Sequence, residues 1–257
     1  MSVTRNIAQD LFTALRSGEA IEPIRDQIDN DIPQAYAIQE EVVNMRVADG
    51  EKIVGKKIGL TSLAVQAQLG VDQPDYGVLF EAMDVSDMEA VSMDLLMQPK
   101  VEGELAFVLG EDLTGPEITM EQLKSAIKEV RASIEIVGSR IRDWNIKISD
   151  TIADNASGSH YVLGKKPIAL ADVKTADVEM ALWKNGVLAS EGNGAACMGD
   201  PLNAALWLAQ TMARNGRPLL AGEVLLSGAL GPMVPVVSGD QFRLEIDGFE
   251  AITLKFS

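Results

Sequence analysis

The chain has one cysteine, Cys197, and one histidine, His160, among its 257 residues. A lone cysteine excludes an intrachain disulfide and any Cys-rich zinc site. Set among the small residues of "GAACMGD", it reads as a buried structural thiol. The lone histidine would need a nucleophile and an orienting acid to serve in a triad. Ser157 and Ser159 are too close in sequence to make that case, so His160 reads as a loop or pocket-wall residue. Positive charge is also scarce: 22 Lys+Arg stand against 38 Asp+Glu, a formal net charge of -16. That balance argues against a nucleic-acid partner and against an anionic membrane surface. No window reaches the roughly 18 apolar residues of a membrane span, and "MSVTRNIAQDLFTALRSG" has no signal-like apolar stretch. The expectation is a soluble, cytoplasmic protein. No G-x-G-x-x-G or phosphate loop opens a helix, so no nucleotide site is expected.

What the chain does have is 47% hydrophobic content, enough for a sizeable core. Ile7, Leu11, Phe12 and Leu15 recur at helical spacing, and "DIPQAYAIQEEVVNMRVADG" reads as a second helix with Pro33 in its first turn and Gly50 after its end. "KIVGKKIGLTS" reads as a strand, Ser62 as the cap of a short helix "LAVQAQLG", and "DYGVLF" as another strand. "EITMEQLKSAIKEV" predicts a helix with a Thr119–Gln122 capping box, and "ASIEIVGSRI" a strand. "SDTIADNASGSHYVLG" reads as a polar loop entering a short strand. Asn185-Gly186 predicts a hairpin turn within "VEMALWKNGVLAS". Asp200, Pro201 and Gly216 bracket a helix, and three strands close the chain, two of them joined at Asp247-Gly248. Strands in hairpins, without regular βαβ alternation, predict an α+β protein. Its organisation is a helix-rich part over residues 1–70 and a β-rich core over 71–257.

The chemistry concentrates in "QPKVEGELAFVLG". Glu102 and Glu104 lie two residues apart in an otherwise apolar strand, so they share a face. Like charges there are costly without a cation between them. Glu135, inside "ASIEIVG", is a third carboxylate in an apolar strand. Three convergent carboxylates with no cysteine suit Mg²⁺ or Mn²⁺ rather than zinc. In "VGKKIGLTS", alternation sends Lys56 and Lys57 to opposite faces. An inward lysine near a metal is expected to have a depressed pKa and to transfer protons; the competing reading is a pair of surface lysines.

Five blocks together resemble the 2-hydroxypenta-2,4-dienoate (2-keto-4-pentenoate) hydratases of the fumarylacetoacetate hydrolase superfamily. They are "KIGLTSLAVQAQLGVDQPDYGVLF", "QPKVEGELAFVLGEDLTGP", "IEIVGSRIRDWNIKISDTIADNASGSHYVLG", "GAACMGDPLNAALWLAQTMARNG" and "LSGALGPMVPV". The resemblance runs from about residue 33 to the end. It implies a mixed, curved β-core with a smaller helical N-terminal part. It implies an Mg²⁺ or Mn²⁺ held by Glu102, Glu104 and Glu135, with Lys57 as acid/base and Asp75 as a second acid/base or orienter. It also implies substrate-binding positions at Asn155, Ser157, Ser227 and Gly228. Superfamily hydrolases that cleave carbon–carbon bonds use a histidine–glutamate pair placed well before the metal motif, and this chain has no histidine before position 160.

The implied reaction is hydration of 2-hydroxypenta-2,4-dienoate to 4-hydroxy-2-oxopentanoate in aromatic meta-cleavage catabolism. A homo-oligomer is expected, with a pathway enzyme as a further partner. "NASGSHY" departs toward the sister 4-oxalocrotonate decarboxylases, and "CMGDP" carries Asp200 where histidine is common. The alternatives are therefore such a decarboxylase or a catalytically silent subunit, although a silent subunit should have lost the carboxylates or the lysine.

Overall fold

Two capped helices open the chain. In α1 (Val3–Ser17), Ser2 accepts a hydrogen bond from the Arg5 amide at 3.3 Å, and Gly18 ends the helix at φ 75°. In α2 (Ile32–Ala48), Asp31 caps the Gln34 amide at 2.7 Å with Pro33 in the first turn. Ile7, Ala8 and Leu11 of α1 pack with Ala35, Ile38 and Val42 of α2. The same apolar cluster includes Ile141, Ile148 and Ile152, so the helices are seated on the later chain. The computed structural model describes residues 2–62, 66, 71–115 and 117–257. The helix expected for "LAVQAQLG" lies outside the described residues.

The first sheet comprises β1 (Ile53–Gly59), β2 (Asp75–Phe80), β3 (Lys100–Leu109), β4 (Ile127–Val137), β5 (Gly158–Leu163), β8 (Val224–Leu226) and β9 (Val234–Pro235). Its order is β2-β1-β8-β3-β4-β5, with β9 also on β3. β1 and β8 run parallel and the other pairs antiparallel, so the sheet is mixed. The second sheet, β11-β10-β6-β7, is built from β6 (Glu179–Lys184), β7 (Val187–Asn193), β10 (Gln241–Ile246) and β11 (Ile252–Lys255). Asn185 and Gly186, at φ 53° and 81°, make the β6–β7 turn that their sequence predicts. The two sheets share the largest apolar cluster, where Val101, Leu105 and Phe107 meet Met180, Leu182 and Leu244. The architecture is α+β.

Two local expectations are corrected. The helix predicted over 117–130 is only α3 (Met120–Ala126). Its Thr119–Gln122 box forms as expected. Residues 127–130 instead begin β4, where Val130 pairs with Phe107; pairing along β3 overrides the local helical pattern. The segment read as a polar loop contains α4 (Ile148–Ala153), all of it buried. Its N-cap is Lys147, whose amide donates to Oδ2 of Asp150 in the first turn at 2.9 Å. The later helix α5 (Pro201–Arg214) starts at Asp200 as predicted, and Asp200 Oδ1 accepts from the Leu202 amide at 2.8 Å.

Candidate active site

β3 divides its side chains between two environments. A Cβ on Gly103 would lie 2.5 Å from Leu244 Cδ1 and 3.2 Å from Met180, so this face is pressed against the second sheet. Glu102 and Glu104 flank Gly103 and therefore point the other way. Glu135 on β4 is the direct cross-strand partner of Glu102. Oxygens of the three carboxylates lie within 4.8 Å of one another, and all three side chains are buried.

Like charges placed opposite each other on a ladder repel. Burial, followed by mutual repulsion with Glu135 and Glu102, holds the Glu104 carboxyl well above its usual range. Burial also raises Glu102 and Glu135; Lys57 opposes both shifts, and Glu135 still stands at about 7. Among the described residues, Glu104 Oε1 and both oxygens of Glu135 lack hydrogen-bond partners. Buried acceptors without donors are expensive. Hard, clustered, unsatisfied oxygens fit a divalent cation of the Mg²⁺ or Mn²⁺ type.

Lys57 on β1 reaches the same place. It is 2% exposed, and its Nζ lies 3.3 Å from Glu135 Oε1 and donates to the Ala156 carbonyl at 3.0 Å. Burial alone would depress its ammonium. Glu135, Asp75, Glu102 and Glu104 outweigh that and hold its pKa above the ordinary value. In the polypeptide alone, four carboxylates outweigh one desolvation penalty; the depressed pKa expected for a lysine beside a metal concerns the metal-loaded site. Asp75, at the start of β2, is buried, its Oδ1 has no hydrogen-bond partner among the described residues, and burial raises its pKa. Gly59 lies opposite it in the ladder, and a Cβ there would meet Asp75 Oδ1 at 2.2 Å and Lys57 Nζ at 3.3 Å. Only glycine leaves that room.

Lys56 faces away from the carboxylates but is not a surface residue. It is 8% exposed and pairs with Glu223 at 3.3 Å.

Of the remaining sequence candidates, Gly228 bonds the cluster directly. The Gly228 amide donates to Glu104 Oε2 at 2.9 Å, and its φ of 99° and proximity to Thr61 leave no place for a Cβ. Ser227 Oγ accepts from the Leu105 amide and donates to the Gly228 carbonyl. Cys197 is buried behind it, and its Sγ donates to the Ser227 carbonyl at 3.0 Å. Asn155 uses its amide on the backbone of Val78, and Ser157 Oγ meets Thr151 Oγ1 at 2.9 Å.

Arg140 pairs with Asp154 rather than with the carboxylate cluster. His160 lies elsewhere: with Arg46 and Arg140 it lines a cavity of about 470 Å³, and burial, then the two guanidiniums, lowers its pKa to about 4. Three participants carried no side-chain signal in the sequence: the Ala156 carbonyl, the Gly228 amide, and Gly59 as a space-making residue.

A family model described as the C-terminal part of fumarylacetoacetate hydrolase matches residues 53–256. The chain is similar to the TodF product hydratase of Pseudomonas putida, 51% identical over 254 residues, covering 98% of this chain and 95% of the relative. It is 50% identical over 250 residues to the 2-keto-4-pentenoate hydratase of Paraburkholderia xenovorans, covering 97% and 93%. Among solved structures, it resembles the 4-oxalocrotonate decarboxylase of Pseudomonas putida complexed with magnesium and adipate. That match has a TM-score of 0.95 and 30% identity, and covers 99% of this chain and 97% of that one.

Proposed function

We propose that this chain, which belongs to the 2-keto-4-pentenoate hydratases of the fumarylacetoacetate hydrolase superfamily, adds water to 2-hydroxypenta-2,4-dienoate. The product is 4-hydroxy-2-oxopentanoate, and the setting is cytoplasmic meta-cleavage catabolism of aromatic compounds. No helix among the described residues is long and apolar enough to cross a membrane. The observation that carries the reading is the buried cluster of Glu102, Glu104 and Glu135, with its unsatisfied oxygens and Lys57 Nζ at its edge. These carboxylates would hold Mg²⁺ or Mn²⁺, which would supply Lewis-acid charge to stabilise negative charge developing on the substrate.

The chain's own residues then move the protons. The orphaned Oδ1 of Asp75 takes the proton of the 2-hydroxyl. The Lys57 ammonium gives one to C5, and the dienol becomes the conjugated 2-oxo-3-enoate. C4 is now electrophilic. The neutral Lys57 amine accepts a proton from water as its oxygen bonds to C4, and Asp75 returns its proton to C3. The sum is one water added, with both residues restored.

The identities favour hydration over decarboxylation, at about half of all positions against 30%. So does the arrangement of cations. Arg140, a candidate for binding a second carboxylate, is committed to Asp154 and to the Gly158 carbonyl. His160 lines a cavity together with Arg46 and Arg140. Purified protein with Mn²⁺ should convert the dienoate to 4-hydroxy-2-oxopentanoate and stop on chelation. Turnover unaffected by chelator would refute the metal assignment.

A pH dependence follows from the raised carboxyls. Their folded-state pKa values exceed the unfolded ones, so the chelated protein is favoured below about 4.5. It loses that contribution as pH rises through the folded values, about 7 for Glu135. Cation binding needs the ionised forms. The rise in Tm on adding Mn²⁺ should therefore grow from pH 5 to pH 8. A shift constant across that range would contradict the site.

A further inference from the structure

Residues 155–157 follow a backbone path that L-amino acids avoid. Asn155, Ala156 and Ser157 have φ of 54°, 49° and 54°. Single residues visit the left-handed region, and Asn tolerates it best; a run of three, with Ala at its centre, needs outside support. The support is present at both ends. Asn155 Oδ1 accepts from the Val78 amide at 2.8 Å while its Nδ2 donates to the Val78 carbonyl at 3.0 Å, so the side chain stands in for a strand partner on β2. Arg140 holds the Asp154 carboxylate and donates to the Asp154 and Gly158 carbonyls at 2.6 and 3.2 Å. Gly77, the ladder partner of Lys57, makes the space: a Cβ there would lie 2.4 Å from the Asn155 carbonyl.

This path turns the Ala156 carbonyl toward Lys57 Nζ, at 3.0 Å. Among the described residues it is the one uncharged acceptor that Lys57 hydrogen-bonds. Both polar atoms of the Asn155 side chain are engaged with Val78, one hydrogen bond at Oδ1 and one at Nδ2, which fixes the orientation of the amide. We propose that Asn155 is a positioning residue: it pins the left-handed run to β2 so that the Ala156 carbonyl aims the Lys57 ammonium. The inference rests on the reading of Lys57 as the acid/base.

A double-mutant cycle tests it. Asn155→Ala should lower kcat by about ten- to hundred-fold, the scale of a small misplacement of a reacting group. Mn²⁺ affinity by calorimetry and KM should stay near wild type. In a Lys57→Ala background the same substitution should cost nothing further. Equal proportional losses in both backgrounds would mean a general structural role and overturn the proposal. Should Asn155→Ala fail to fold, Asn155→Asp enters the same cycle, since it keeps an acceptor for the Val78 amide and loses the donor. A crystal structure of the folded variant should show Nζ displaced from the Ala156 carbonyl; an unmoved ammonium overturns the proposal as well. Full turnover by Lys57→Ala alone would instead mark failure of the acid/base reading, and this inference would fall with it.

Discussion

Lys57→Ala should lower turnover by roughly two to four orders of magnitude while leaving Mn²⁺ binding nearly intact. A positioned acid/base carries about that weight. The lysine is not a ligand: its Nζ contacts Glu135 and the Ala156 carbonyl, and the oxygens available to a cation are those of Glu102, Glu104 and Glu135. The neighbouring residue is the control. Lys56→Ala should leave kcat within a few-fold of wild type, because Lys56 faces away and pairs with Glu223. It should still cost about 1–3 kcal/mol of stability, since Glu223 loses its buried partner. Steady-state kinetics and thermal unfolding of both variants in saturating Mn²⁺ separate the two effects. Comparable kinetic losses would refute the assignment of faces.

Glu104→Gln should abolish metal-dependent turnover and weaken Mn²⁺ binding severely, with the fold preserved. Glutamine keeps the acceptor for the Gly228 amide but removes the charge that holds a hard cation. Of the three carboxylates, Glu104 is held well above its usual range by burial and by the repulsion of Glu135 and Glu102. The chelated variant should therefore be more stable than chelated wild type, because the buried amide carries no charge to be repelled by Glu135 and Glu102. Opposite signs for stability and activity would distinguish a ligand from an ordinary core residue. Unchanged calorimetric affinity for Mn²⁺ would remove Glu104 from the site.

The carboxylates were legible in the sequence because charge inside an apolar strand is costly and period two fixes its direction. Register did the rest, placing Glu135 opposite Glu102. Local signals were equally reliable where the chain itself supplies the partner, as at Thr119 with Gln122, Asp200 with the Leu202 amide, and Asn185-Gly186. Long-range pairing was not legible. Nothing local says that residues 127–130 leave a helical pattern to extend β4 along β3, or that β8 inserts between β1 and β3. Alternation separated Lys56 from Lys57, but it could not show that Glu223 waits on the far face. The Ala156 carbonyl and Gly228 amide are backbone groups, and any residue type can offer them. The resemblance identified Asn155 as a site position; only the coordinates connect its amide to Val78.

The most direct measurement offers the Mn²⁺-loaded protein 2-hydroxypenta-2,4-dienoate and the 4-oxalocrotonate-type diacid at equal concentration and follows both products. A second carboxylate at the far end of the substrate would need a cation or several donors. Arg140 is already bound to Asp154, and the segments "GAACMGDP" and "LSGALGPMVP" contain no lysine or arginine. The predicted result is a specificity constant favouring the monoacid, with 4-hydroxy-2-oxopentanoate accumulating and negligible carbon dioxide. A specificity constant favouring the diacid, or carbon dioxide as the main product, would contradict hydration and identify the same carboxylate–lysine cluster as a decarboxylase site.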